Sequence, residues 1–427
     1  MTVPTRADAL ALDAADPLRD FRAGFAIADS EVCYLDGNSL GRLPLETVSV
    51  IERFLTDGWG ARAVDGWSDW IDMAESVGDL VGRAALGAAP GQVLVQDTTS
   101  LNFYRACRAA IAARPGRRTI VSDTANFPTD RYLLEGIAAE LGLRLVLIDD
   151  EITADDLGIE DERITPERLA PYLDDDVALV TLSVVAYRSG ALHDVAAVTA
   201  LARNHGALTV WDASHAVGAI DLQFDRDGVD LAVGCTYKYG NSGPGAPAWL
   251  YIAHDMQQQV DAPIHGWFAQ RDQFAMGQGF QRTDGMRGFQ IASPSVMGLL
   301  CVQTAFTMIE QARMARIAAK AARGTDMMVD LYDEWLAPLG FTLLTPRDSR
   351  LRGGHITIHH PDAGAIARGL RQAKKVVPDY REPGGIRVSI SPLPTSFTEV
   401  FDGFERIRDF TASGEYRAFE GATSKVT

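Results

Sequence analysis

ALTVWDASHAVGAIDLQFDRDGVDLAVGCTYKYGNSGPGAPAWLYI, residues 207–252, holds three short apolar runs, and the rest of the chain arranges itself around them. The first, Ala207 to Trp211, stops abruptly on Asp212. The second, Asp230 to Gly234, leads into Cys235-Thr236-Tyr237-Lys238-Tyr239. A Gly/Pro-rich turn then delivers the third, Ala248 to Ile252. Short apolar runs bounded by turn residues are what buried strands of an α/β sheet look like. Ligands of such sheets sit at the carboxyl ends of strands, which is where Asp212 and Lys238 fall. Alone, an Asp after a strand is ordinarily a turn residue or helix cap, and a Lys a solvated charge. An acid and an amine together at neighbouring strand ends are the pair that pyridoxal 5′-phosphate (PLP) needs. The amine holds its aldehyde as a Schiff base, and the carboxylate keeps the pyridine nitrogen protonated.

Working outward, the same strand–helix alternation recurs. QVLVQDTTSLNF, RRTIVSDTANFPTDRY, RLVLID and ALVTLS supply further apolar runs, each except ALVTLS leading to a polar turn or a helical pattern. This predicts a mostly parallel sheet in an α/β domain. Thr99 and Ser100 are expected just before a helix, where free N–H groups and the dipole favour phosphate, or simply as an N-cap. Trp59, Trp67 and Trp70 at helical spacing read as core or subunit interface more readily than as ligand contacts. Residues 263–296 are rich in Gly and aromatics without periodicity, a composition typical of functional or interface segments. From about 295 a helix pair is expected (Val296 to Ile309, Arg313 to Trp335). Strand-like patches FTLLTP, HITIHH and IRVSIS follow, with a frayed tail after about 412. The division expected is an N-terminal arm over 1–45 packed with the small domain, a large domain over 46–294, and a small C-terminal domain over 295–427.

The formal charge of −17 argues against nucleic acid or an acidic membrane as partner. Cys33, Cys107, Cys235 and Cys301 are scattered without a C-x-x-C pair, as in a reduced cytoplasmic protein without a metal site. The acidic N-terminal stretch lacks the basic and apolar regions of a signal peptide, and no apolar run reaches membrane-spanning length.

WDASHAVGAIDLQF followed by VGCTYKYGNSGPGAPAWLYI resembles kynureninase, a family of fold-type-I PLP enzymes. LDGNSLG (35–41), NFPTDRY (126–132) and GWF (266–268) resemble the same family. The resemblance implies a seven-stranded, mostly parallel sheet with a smaller α+β domain, and Lys238 as the Schiff-base lysine. It implies that Asp212 meets the pyridinium, that Phe127 stacks on the ring, and that Asp130 and Ser183 lie near the cofactor. Thr99, Ser100 and Tyr237 are then phosphate contacts, with Tyr237 also a candidate for proton transfer, and His215 is expected to hydrogen-bond to Asp212. Trp267 and Ser293 correspond to positions that reach the phosphate from a partner subunit, which implies a homodimer. Arg387 corresponds to the arginine that holds the substrate α-carboxylate, a task its planar fork suits, with Asn38 and Ser39 close by. The implied reaction is hydrolytic Cβ–Cγ cleavage of kynurenine or 3-hydroxykynurenine to the matching anthranilate and alanine. Departures from the family pattern stand at Val184, Val185 and Ala186 (commonly H-V-N), Gly240 (Leu), Gln270 (His) and Pro394 (Tyr). They leave open a kynureninase-like enzyme that acts on another amino acid by elimination, other bond cleavage or transamination.

Overall fold

A computed structural model describes residues 4–148 and 162–421. The N-terminal arm begins with helix Arg6–Ala15, closed by a capping box in which Thr5 and Asp8 exchange hydrogen bonds. It continues to a short strand, β1 (Cys33–Tyr34). The central sheet is then built from β2 (Val93–Val95), β3 (Thr119–Asp123), β4 (Arg144–Ile148), β5 (Val177–Ser183), β6 (Leu208–Asp212), β7 (Leu231–Gly234) and β8 (Trp249–Ile252). Their spatial order is β2-β8-β7-β6-β5-β3-β4. Strands β4, β3, β5, β6 and β7 run parallel, while β8 is reversed and pairs antiparallel with both β7 and the edge strand β2. Every residue of β3, β5, β6, β7 and β8 is buried, so these segments read as continuous apolar runs rather than alternating ones. Of the expected run RLVLID, the last residue, Asp149, lies outside the described residues.

Beyond the sheet come helices Val296–Ala312 and Met314–Leu331, broken at Arg313, whose φ of +68° no helix accommodates. A second sheet combines β9 (Thr342–Leu343), β10 (His355–His359), β12 (Asp379–Arg381) and β13 (Gly385–Ser389) in the order β12-β13-β10-β9, all antiparallel. Between them β11 (Val376–Val377) pairs in parallel with β1, so the arm joins this end of the molecule. The chain after 412 is not frayed where described. Helix Phe397–Ser413 is followed by a turn, Glu415–Phe419, whose Tyr416 is buried and donates to Asp362.

Two apolar clusters result. The larger surrounds the seven-stranded sheet and takes in the buried face of Val296–Ala312 together with Leu18 and Phe25 of the arm. The smaller joins β10, β13, helices Ala363–Ala373 and Phe397–Ser413, and Ala9, Cys33 and Leu35 of the arm. No described helix is long and apolar enough to cross a membrane.

Candidate active site

The site forms where the parallel strands end. Register sets Ser183, the last residue of β5, beside Asp212, the last of β6. After β6 the chain turns at once: the Ser214 N–H donates to Asp212 Oδ1 at 2.7 Å, and the Val184 N–H donates to the Asp212 carbonyl at 2.7 Å. The next strand end, past β7, carries Tyr237 and Lys238. After β3, Phe127 leads into helix Pro128–Leu141, with proline at its first position and Asp130 in its first turn. These pieces enclose a cavity of about 90 Å³ lined by Thr99, Ser100, Phe127, Thr129, Asp130, Ser183, Asp212, Ser214, His215, Tyr237 and Lys238.

Helix Thr99–Ala112 starts one residue earlier than expected. Thr98 is its cap, accepting from the Leu101 N–H, so Thr99 and Ser100 are its first two residues. Their amides belong to the first turn, where N–H groups lack intrahelical partners and the dipole is positive. Lys238 Nζ lies 3.2 Å from His215 Nδ1 and 3.1 Å from Nε2, and 6.0 Å from the centre of the Phe127 ring. Phe127 in turn meets Tyr187 edge-on at 5.3 Å. His215 therefore faces Lys238, and Arg387 Nη1 at 3.4 Å from its Nε2, instead of making the expected hydrogen bond to Asp212. The Asp212 Oδ1 instead accepts from the Ser214 N–H in the turn that follows β6.

Burial sets the electrostatics. It lowers the Lys238 ammonium below its ordinary value, favouring the nucleophilic free amine. It pushes Asp130 well above the usual carboxylate range, and the neighbouring Asp212 charge and shared hydrogen bond add to the effect. A proton on Asp130 relieves the repulsion between the two acids. Burial, then the Lys238 and Arg387 charges, hold His215 well below its usual value, so the ring is neutral. The Tyr237 hydroxyl is pushed up, chiefly by burial, and stays a proton donor.

Arg387 reaches this cluster from β13. It is 1% exposed and donates from Nη1 to the Tyr187 carbonyl at 2.7 Å and from Nη2 to Ser39 Oγ at 3.2 Å. Asn38, with its amide oriented to satisfy both ends, accepts from Arg387 Nε at 3.2 Å and donates to Ser389 Oγ at 3.0 Å. Asn38, Ser39 and Arg387 thus form one group beside the cavity. Trp267 and Ser293 do not join it: both are exposed, and Trp267 packs edge-on with Phe268 and Phe274. Thr129 and Ser214 were missed in the sequence reading, although both sit inside motifs already singled out.

The donor set fits PLP. A neutral-leaning amine, a carboxylate backed by a second acid, an aromatic ring and a helix N-terminus surround one cavity.

The chain matches the family model for the kynureninase C-terminal domain over residues 317–407. A kynureninase of Pseudomonas fluorescens is 36% identical over 409 residues, spanning 94% of each chain. One of Burkholderia pseudomallei is 35% identical over 427 residues, spanning 98% of each. Among solved structures, an apo cysteine desulfurase of Thermococcus onnurineus NA1 superposes with a TM-score of 0.77 at 18% identity, covering 94% of this chain and 98% of that one. A C-DES mutant with glycine covalently linked to its PLP cofactor gives 0.74 at 16% identity, covering 95% of this chain and 100% of that one. These structural likenesses carry the fold, fold-type-I, while the full-length sequence identities carry the family. On those identities of 35–36% over nearly the whole chain, the chain belongs to the kynureninase family.

Proposed function

We propose that the protein is a PLP-dependent hydrolase that cleaves the Cβ–Cγ bond of L-kynurenine or its 3-hydroxy relative, giving the matching anthranilate and L-alanine. The observation that carries this reading is the 35–36% identity to kynureninases over nearly the whole chain. Action on a different amino acid is the less favoured reading. Val184, Val185 and Ala186 are buried, with backbone groups of Val184 and Ala186 already hydrogen-bonded, so the altered side chains sit in a well-formed turn.

Lys238 would hold the cofactor aldehyde, Asp212 backed by protonated Asp130 the pyridine nitrogen, and Phe127 the ring face. Thr99, Ser100 and Tyr237 would hold the phosphate, with Ser183 and His215 flanking. Bound there, PLP supplies an electron sink for negative charge at the substrate α-carbon. Arg387, flanked by Asn38 and Ser39, binds the substrate carboxylate. The Lys238 amine, made less basic by burial, would take the α-proton of the substrate and return it to the α-carbon as alanine forms. Water adds its oxygen to the γ-carbonyl carbon as the Cβ–Cγ bond breaks, and Cβ receives a proton to become the alanine methyl. Tyr237, kept protonated by its surroundings, is a donor suited to these transfers.

The same reading includes a cytoplasmic homodimer that shares its sites, with Trp267 and Ser293 reaching the partner's phosphate. Its support is the crowd of exposed large apolar side chains in two segments: Leu45, Val48, Trp59 and Val64 in one, and Trp267, Phe274, Met276 and Met297 in the other. The division into arm (1–45), large (46–294) and small (295–427) domains is supported by the two apolar clusters, with the helix Val296–Ala312 packing across to the larger.

Incubation with L-kynurenine and with 3-hydroxykynurenine tests the reaction. Alanine together with the matching anthranilate is the expected outcome. Pyruvate with ammonia would reveal elimination instead, and absence of turnover by PLP-loaded enzyme would overturn the assignment.

A further inference from the structure

Three charged residues share one face of the small sheet. Asp379 and Arg381 lie two apart on β12, and Arg387 on β13 is paired directly opposite Asp379. Asp379 is 0% exposed. Its Oδ2 accepts from Arg387 Nε at 2.5 Å, from Arg387 Nη2, and from Arg381 Nε at 3.0 Å. The Nε side of the Arg387 fork is therefore closed by a buried carboxylate. At the other end, Nη1 keeps a firm bond to the Tyr187 carbonyl at 2.7 Å, and the remaining contacts are long and neutral. Nη2 has Ser39 Oγ at 3.2 Å, and Nη1 has His215 Nε2 at 3.4 Å. Neutral partners at the long limit of hydrogen bonding are readily exchanged for a carboxylate, whose charge-assisted bonds are about twice as strong.

We propose that Asp379 is a positioning residue for substrate binding: it occupies the Nε side of Arg387 and so presents the Nη1–Nη2 end, toward His215 and Lys238, as the face that takes an amino-acid carboxylate. The inference rests on the reading of Arg387 as the carboxylate-binding residue. The geometry matches the ligand. A carboxylate that replaces Ser39 and His215 on the fork lies next to His215, whose ring nitrogens are 3.1–3.2 Å from the Lys238 amine. Carboxylate and amino group of one amino acid then address Arg387 and Lys238 across a single imidazole. Removing the negative charge of Asp379 has two opposed consequences. It raises the local positive charge, which attracts any anion, and it frees the fork to turn, which spoils bidentate alignment. The proposal is that alignment dominates.

The test compares L-alanine with L-alaninamide, which lacks only the carboxylate, as ligands of the PLP-loaded enzyme, titrated through the cofactor absorbance. The ratio of their affinities reports carboxylate recognition and is insensitive to general loosening. Asp379→Asn is expected to lower that ratio by on the order of 10-fold to 10²-fold, the effect of misaligning a clamp, with the cofactor spectrum unchanged. An unchanged or increased ratio overturns the proposal, the increase meaning that Asp379 merely offsets charge. If Asp379→Asn does not fold, Asp379→Glu keeps the buried charge but displaces it by one methylene. A lowered ratio at parental melting temperature then supports the proposal, and a parental ratio overturns it. Arg387→Lys is the control for the underlying reading. If it leaves the ratio intact, Arg387 is not the carboxylate residue. If it lowers the ratio while Asp379→Asn does not, that reading stands and the role of Asp379 falls.

Discussion

At the scale of single residues, burial converts ordinary side chains into the unusual acids and bases of this site. The amine of Lys238 becomes easier to deprotonate, Asp130 harder to ionise, and His215 harder to protonate, all with desolvation as the leading cause. Asp36, in the LDGNSLG turn, shows the same effect at a size that stability can report. Burial, reinforced by the nearby Asp379 charge, raises its carboxyl from 3.8 to about 6. A raised folded-state pKa means that the folded protein binds the proton more tightly. The contribution to stability is then full below pH 3.8 and is lost as pH rises through about 6. The shift corresponds to about 3 kcal/mol. Asp36→Asn removes this dependence, so the variant should gain on the parent by about 3 kcal/mol between pH 4 and pH 8. Urea unfolding of both proteins across that range measures the difference, and parallel curves would refute the assignment.

At the scale of elements, what could be read from sequence was what rests on local chemistry. Strand β6 was expected to stop at Asp212 because an acid ends an apolar run, and it includes that residue as its last. Lys238 was legible because its loop follows such a run, whereas Phe127 and Tyr237 were singled out through the family resemblance; all three line the cavity. Less legible were features decided by partners distant in sequence. Two-residue strands β1 and β11 have no periodicity of their own and exist only because they meet. Among Thr98, Thr99 and Ser100 composition cannot choose the cap; the sheet does, by fixing where β2 ends and by turning the chain at Asp97, φ +53°. The partner of His215 depended on a turn, not on its spacing from Asp212. Gly240, noted as a departure from Leu, gains a reason from packing. A Cβ there would stand 2.3 Å from the Thr236 carbonyl oxygen and 3.2 Å from the Phe306 ring. Gly240→Leu should therefore destabilise the chain by roughly 1–3 kcal/mol, as overpacking does, rather than restore a family feature. Equal denaturation midpoints for variant and parent would show that the loop yields at no cost.

At the scale of the whole molecule, the arm links the two apolar clusters to the carboxylate-binding group. Its early part contributes Ala9 to the smaller core and Leu18 to the larger. Its later part contributes Asn38 and Ser39, which touch Arg387. What holds the arm down is concentrated on Glu399, a 7% exposed residue in the first turn of helix Phe397–Ser413. Its Oε2 accepts from Arg22 at 2.6 Å, and its Oε1 from Arg42 at 2.7 Å and from the Tyr34 N–H at 2.9 Å. Three points of the arm, one in β1 and one on either side of it, thus converge on one carboxylate. Lys320 and Asp16 add a second buried pair at 2.7 Å, nearer the start. Glu399→Gln keeps the shape and removes the charge, leaving Arg42 with no counter-ion here. The expected cost is about 3 kcal/mol, the lower end for breaking a buried pair, because Arg22 retains 29% exposure. The loss should be local. Amides of residues 33–41 should exchange faster, and L-alanine should bind more weakly, while the seven-stranded sheet keeps its protection and the cofactor absorbance is unaltered, since no cavity-lining residue belongs to the arm. Hydrogen exchange followed by mass spectrometry separates the cases. Uniform loss of protection would make Glu399 a global stabiliser, and parental protection over 33–41 would show that the apolar contacts of Cys33 and Leu35 alone hold the arm in place.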